Sequence, residues 1–199
     1  MSKKPESTRR KILEAAFDEF YKNGFQGSSI NRIVDQAGTT KGALFHHFED
    51  KNDLGYAVVE EIVFPSVKER WLNPLADSID PITALKKVMR QFAKVEAPDA
   101  RLVHGCPLNN LAQEMAPLDE GFRRRLEKIY SAWREALEAA LARGIKAGNV
   151  RKGISPGNAA ALVVAALEGI IGTAKNAQSM KLLEQAGEGL FDYLDSLRP

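Results

Sequence analysis

Apolar residues recur at spacings of three and four along almost the whole chain, and no stretch alternates in the manner of a strand. That period commits the chain to helices packed on helices, an all-α fold. Ile12, Leu13, Ala16, Phe17 and Phe20 share one face, closed by Asn23-Gly24, because glycine takes the left-handed conformation without a Cβ clash. Ser28 or Ser29 offers an N-cap oxygen to a short helix carrying Ile30, Ile33, Val34 and Ala37, stopped by Gly38. Thr39-Thr40 caps a third helix with Leu44, Phe45 and Phe48 on its apolar side. Asp50 caps a fourth, beginning at Lys51 and extended by Leu54, Val58, Ile62 and Trp71. Pro65 should bend or split that helix, since it lacks a donor and clashes with the preceding turn.

Further along, Pro81 suits the first turn of a helix through Leu85, Val88, Met89 and Phe92. Residues 97–105 read as a loop, and Pro107 to Met115 as a short helix. A long amphipathic helix runs from about Asp119 to Ala147, with Phe122, Leu126, Ile129, Tyr130, Trp133 and Leu137 on its stripe. Ser155-Pro156 opens a helix to about Ala177 that is apolar nearly all round, and a last helix carries Leu182 to Leu197. The expectation is about nine helices. The chain has 199 residues, 44% hydrophobic and 27% charged, which supplies a real core and excludes disordered, collagenous and disulfide-scaffold classes. The longest charge-free run, Gly153 to Leu167, contains Ser155, Pro156 and Asn158 and is too short and polar to span a bilayer. The N-terminal residues lack the apolar core of a signal peptide, so a soluble, cytoplasmic chain with no membrane partner is expected. One cysteine excludes an intrachain disulfide and a multi-cysteine metal site, and no cofactor or metal-ligand set is read. The net charge of +2 argues neither for nor against nucleic acid.

Local chemistry at the N-terminus is more informative. Two short helices joined by Ala37-Gly38-Thr39-Thr40 have the form of a helix-turn-helix. The second of them presents Thr40, Lys41, Gly42, His46 and His47, with no carboxylate until Glu49. A phosphate backbone tolerates such a face, because each cation near a phosphate releases a counterion. Gly42 costs roughly 1 kcal/mol against alanine in a helix interior, which makes sense where the backbone must lie close to a partner such as DNA. The pattern alone also allows a small three-helix core with a solvated face.

The string Ile12-Leu13-x-Ala15-Ala16-x-x-x-Phe20, then Gly24-Phe25-x-x-Ser28-Ser29-Ile30-x-x-Ile33, then Ala37-Gly38-x-Thr40-Lys41-Gly42-Ala43-Leu44-Phe45-His46-His47-Phe48-x-x-Lys51 resembles the tetracycline-repressor (TetR) family of transcriptional regulators. The resemblance covers residues 8–55 closely. It implies a homodimeric, all-helical, effector-responsive repressor that binds double-stranded operator DNA. It also implies that Ser28 and Ser29 cap the second helix and face phosphate. Thr40, Lys41, Gly42, Phe45, His46 and His47 would lie on the recognition helix, and Lys51 would touch the DNA backbone from the start of the linking helix. Residues 1–52 then form the helix-turn-helix domain and 53–199 the ligand-binding and dimerisation domain.

Aromatic and sulfur side chains on the middle helices are the candidates to line an effector pocket: Phe64, Trp71, Met89, Phe92, Met115, Tyr130 and Trp133. For any one of them the competing reading, ordinary core, is the favoured one. The all-round apolar helix over Ala159–Ala174, with Gly169 and Gly172, looks with the last helix like half of an isologous four-helix interface. Cys106 stands at a helix start, where a thiol's pKa falls, and Lys175 is a cation on a mostly apolar face. The Gly-Cys at this place resembles the branch of the family that senses electrophiles or oxidants through cysteine, against the alternative of an inert, buried thiol. Two other classes remain open: a cysteine-dependent enzyme using Cys106 with His104, and a helical interaction protein. The enzyme lacks a third orienting group and needs two near neighbours in a loop to converge.

Overall fold

The computed structural model describes residues 3–95 and 103–199, with side chains over 7–91 and 103–199. Nine helices account for the described residues, which contain no strand. They are α1 Lys3–Asn23, α2 Ile30–Ala37, α3 Lys41–His47, α4 from Lys51, α5 Pro81–Val95, α6 Pro107–Met115, α7 Glu120–Ala147, α8 Pro156–Ala177 and α9 Met180–Asp195. Most of the loop expected over 97–105 lies outside the described residues.

Helix α4 is the informative departure. Lys51–Val58 and Phe64–Val67 are α-helical, but Val59–Val63 and Lys68–Leu72 are wider π turns, and Asn73–Leu75 closes as a 3₁₀ turn. Pro65 therefore neither ends nor splits the helix. The wide turn before it changes the bonding register, so the Phe64 N–H donates to Val59 O five residues back.

The chain packs as two compact units. The first comprises Met1–Ser66 with Pro107–Lys128. Its core joins Ile12, Phe20, Ile33, Leu44, Leu54 and Phe122, all nearly or fully buried. Phe25 packs 5.1 Å from Phe20 and 4.7 Å from Phe122, centroid to centroid. This crowding explains Gly55, where a Cβ would fall 2.5 Å from Phe122 Cζ and 2.6 Å from Phe25 Cε2. Asp119 caps α7 by accepting the Phe122 N–H at 2.8 Å, and the same oxygen accepts from the Tyr56 hydroxyl at 2.8 Å. Those bonds, first the Phe122 N–H and then Tyr56, hold the Asp119 carboxyl below the usual carboxylate range.

The second unit comprises Val67–Cys106 with Ile129–Pro199. Leu75, Ile82, Trp133, Leu137, Val163 and Leu194 form its centre. Arg143 donates to the carbonyls of Leu75 and Ser78, satisfying acceptors left over where the chain leaves its 3₁₀ turn. Helix α8 is the one described helix long and apolar enough, by composition, to cross a membrane. Here Ala160, Val163, Leu167, Glu168, Ile171 and Ala174 turn into the unit, while Ala161, Leu162, Ala165, Gly169 and Thr173 remain exposed. A single chain thus covers only part of it, and Leu162 is 51% exposed.

Candidate nucleic-acid interface and effector region

The three N-terminal helices hold their helix-turn-helix by backbone chemistry. Ser29 is the N-cap of α2, accepting the Asn31 N–H at 3.2 Å. Gly38 ends α2 in the left-handed conformation at φ 62°, and the Thr39 N–H returns to Val34 O at 2.9 Å. Thr40 then caps α3 by accepting the Ala43 N–H at 3.2 Å. Ser28 behaves differently from its neighbour. It is buried and donates to Phe25 O at 2.6 Å, so it pins the turn from inside and does not cap α2.

On α3 the fully buried Leu44 sets the orientation. Thr40, Lys41, Gly42, Phe45 and His46 are exposed and His47 is half-buried, with the two imidazoles edge to face at 5.2 Å. Phe45 is 48% exposed, unusual for a phenylalanine with no partner to cover it. A Cβ on Gly42 would meet only Thr40 Oγ1 at 3.8 Å. Nothing inside the protein requires glycine there.

Lys51 is half-buried, donating to Ser28 O at 2.9 Å with its ammonium 4.8 Å from the Phe25 ring centre. Desolvation pushes it below the usual lysine range, opposed by the charges of Glu114 and Glu19. It ties the α1–α2 turn to the start of α4. Two clamps on the same turn had no sequence signal. Glu114, at the end of α6, accepts the N–H groups of Phe25 at 2.8 Å and Gln26 at 2.7 Å. Buried Glu19 accepts from Asn23, the Ser29 N–H and Arg32.

Of the residues expected at an effector pocket, Trp71 and Met89 line one apolar cavity of about 200 Å³, with Leu167, Ile170 and Phe191. Arg90 and Glu188 supply its polar edge. Trp133 is buried, packs on Trp71 at 4.9 Å and does not reach the cavity. Phe64 and Met115 belong to the first compact unit, where Met115 sulfur accepts from Gln26 Nε2 at 3.7 Å. Tyr130 is half-buried away from the cavity lining, and the Phe92 side chain lies outside the described residues.

Cys106 and Lys175 do not line the cavity, but Cys106 packs against the apolar cluster of Ile171, Ala174 and Leu183, of which Ile171 and Leu183 do. The Cys106 thiol donates to Glu168 Oε1 at 3.4 Å, and a Cβ on Gly105 would fall 2.8 Å from Lys175 Cδ. Glu168 is 7% exposed, and its Oε2 has no hydrogen-bond partner among the described residues. Burial pushes its carboxyl up to about 7, with the Cys106 hydrogen bond opposing. Glu168 ends the charge-free run at Leu167, and nothing in the sequence marks this acid as buried inside an apolar helix.

A capped helix-turn-helix with an acid-free exposed face, followed by a helical body with a cavity, defines a DNA-binding regulator. Residues 12–58 match the bacterial regulatory proteins of the tetR family, and residues 81–190 match the tetracyclin repressor-like C-terminal domain. The chain belongs to the TetR family of transcriptional regulators. It is 31% identical over 180 residues to an HTH-type transcriptional regulator from the lacX 3′ region of Lactococcus lactis, covering 89% of this chain and 88% of that protein. It is 26% identical to the HTH-type transcriptional repressor DhaR of a Mycobacterium species, covering 94% and 91%. Among solved structures, a TetR regulator from Chloroflexus aurantiacus is 28% identical with a TM-score of 0.83, covering 96% of both chains. One from Cytophaga hutchinsonii has a TM-score of 0.88 at 21% identity, covering 100% of this chain and 98% of that one.

Proposed function

We propose that the protein is a cytoplasmic, non-enzymatic homodimeric repressor, released from operator DNA by a small-molecule effector. Residues 1–52 carry the DNA contact, and residues 53–199 carry effector binding and dimerisation. The exposed face of α3 carries this reading. It has no carboxylate, an uncovered Phe45, and a glycine with open space where a side chain would sit. DNA backbone brought against that glycine explains all three features. Lys41, His46 and Thr40 are placed for phosphate or base edges, and Lys51 retains two ammonium hydrogens beyond its bond to Ser28. The exposed small-residue face of α8 is where a second copy packs. Effector binding is assigned to the cavity at Trp71 and Met89, which suits an apolar molecule. Repression is the activity named for the Mycobacterium relative.

The test is electrophoretic retardation of the DNA upstream of the protein's own gene, titrated against salt. Specific retention should persist over competitor DNA, with log affinity falling linearly as log salt rises. Retention no better than for competitor DNA at every salt concentration rejects the reading. A second reading, in which the effector bonds Cys106 covalently, is favoured by the contact between that thiol and Glu168.

A further inference from the structure

We propose that Glu114 is a positioning residue for DNA recognition, tying the turn between α1 and α2 to α6 so that the head's grip on operator depends on the placement of α6. The proposal rests on the reading of residues 1–52 as the DNA-binding head. It starts from the backbone of the turn. Gly24 follows α1 at φ 74°, and the next two N–H groups, those of Phe25 and Gln26, both donate to the Glu114 carboxylate, at 2.8 and 2.7 Å. Successive N–H groups in a turn make a concave site for an anion, and here the chain fills it with its own side chain. Bonds of this length to an ionised acceptor are the stronger kind. A Cβ on Gly24 would fall 3.1 Å from Glu114 Oε2, so glycine serves both the left-handed φ and the close approach. Met115 adds a third bond through its sulfur to Gln26 Nε2.

The turn so held is where α2 begins. Ser29 caps α2, which runs through Gly38 and Thr40 into α3. The other polar tethers of the turn, Lys51 on Ser28 O and Glu19 on the Ser29 N–H, come from α4 and α1. Glu114 comes from 89 positions beyond Phe25, near the end of a nine-residue helix about 13 Å long whose Leu108, Leu111 and Met115 are buried. The chain passes between the two compact units at Ser66–Val67 in α4, at Cys106–Pro107 before α6, and at Lys128–Ile129 in α7. Wide π turns over Val59–Val63 and Lys68–Leu72 flank the first crossing, and a displacement is taken up where the regular ladder is already broken. At the third, α7 meets the turn through Phe122 packed on Phe25, a contact without a hydrogen bond. The crossing before α6 is the one joined to the turn by a short regular helix and direct bonds to backbone N–H groups.

The test is backbone hydrogen exchange, followed by mass spectrometry, on the full-length protein with and without the DNA upstream of its own gene. Coupling is reciprocal, so operator binding should alter exchange at residues 103–111, where α6 begins, as well as at 40–48. Glu114→Gln keeps the shape but turns an amide NH₂ toward one of the two N–H groups. It should hold operator roughly tenfold more weakly and lose the response at 103–111 while keeping that at 40–48. Its affinity for competitor DNA should not fall, which separates a misplaced head from a lost fold. Glu61→Gln breaks the paired bonds from Arg9 that join α1 to α4, and should keep the response. If Glu114→Gln fails to fold, Glu114→Asp, one methylene too short to reach both N–H groups, is read by the same outcomes. Operator retention by the parent with no change at 103–111, unaltered affinity and response in Glu114→Gln, or a response lost in Glu61→Gln and kept in Glu114→Gln overturns the proposal. A parent with no specific retention rejects the DNA-binding reading itself, and the proposal falls with it.

Discussion

Two glutamates, each more than nine-tenths buried, stand in opposite electrostatic circumstances in the two compact units. Glu19, in the first unit, accepts from Arg32, Asn23 and the Ser29 N–H. Burial alone would raise its carboxyl, yet the bonds from Arg32, Ser29 and Asn23 outweigh burial and hold it below the usual range. Glu168, in the second, receives one thiol hydrogen bond, and burial wins. A buried charge is tolerated where donors surround it and is a liability where they do not. The first unit gives its carboxylates Glu19, Glu114 and Asp119 backbone or side-chain donors, and the buried polar atom it leaves without a hydrogen bond, Arg125 Nε, lies 3.0 Å from Glu60. The second leaves an orphaned oxygen, a cavity and an uncovered helix face. These donors hold the turn between α1 and α2 and the start of α7. The open features are where binding and response can occur.

The sharpest way to break this contrast is Glu19→Ala. It removes the acceptor of the Ser29 N–H and of Asn23, while the exposed Arg32 keeps Gly27 O, so it should destabilise the protein by about 2 kcal/mol in urea unfolding. A loss under 0.5 kcal/mol would mean the closed network is decorative. Next in size is Leu162→Arg on the uncovered face of α8. It should convert a dimer to a monomer in sedimentation, at about 2 kcal/mol per dimer, with unchanged helicity. Leu167 and Leu190 are poorer probes, because both are buried within one chain and arginine there tests the fold instead.

Glu168→Gln tests the other half of the comparison. A carboxyl whose folded pKa is raised binds its proton more tightly when folded. Its contribution is therefore most favourable below about 4.3 and declines as pH rises toward 7. The Gln variant should match the parent near pH 4.5 and exceed it by about 2 kcal/mol at pH 8. Glu19, with a depressed pKa, supplies stability that is lost as pH falls below the usual carboxylate range, so the two slopes have opposite sign. Parallel urea titrations that show no difference between parent and Glu168→Gln at pH 8 would remove the contrast. The smallest effect is expected from Lys41→Ala, an exposed residue that closes no network. It should leave stability unchanged, weaken operator binding by about 1 kcal/mol and reduce the salt slope by about one unit. If Lys41 instead reads a base edge, specificity at one position relaxes and the salt slope stays closer to the parent's.

Much of the first unit was legible because its signals are local. Ser29, Thr40 and Asp50 cap helices two or three residues away, and Gly38 needs only its own φ. The choice between Ser28 and Ser29 was not legible, since both hydroxyls have a backbone group in reach and burial alone sends Ser28 inward. The pocket residues separated along the same line. Trp71, Met89, Met115 and Trp133 all read as apolar stripe residues, but which of them border empty space depends on side chains far away in the chain. Residues 107–128 pack with the N-terminal helices because Glu114 and Phe122 find Phe25 there, 89 and 97 residues back.

Helicity, the limits of most helices, and an N-terminal helix-turn-helix with a face fit for phosphate all follow from residue order alone. Period, caps and glycine stops act within a few residues, so order along the chain is enough to read them. Packing alone absorbs Pro65 into wide turns, binds Lys51 to Ser28 O, and brings Glu168 to Cys106. Glu168 and Cys106 are 62 positions apart. The energy of a buried charge depends on which donors packing brings to it, and linear order does not contain that information.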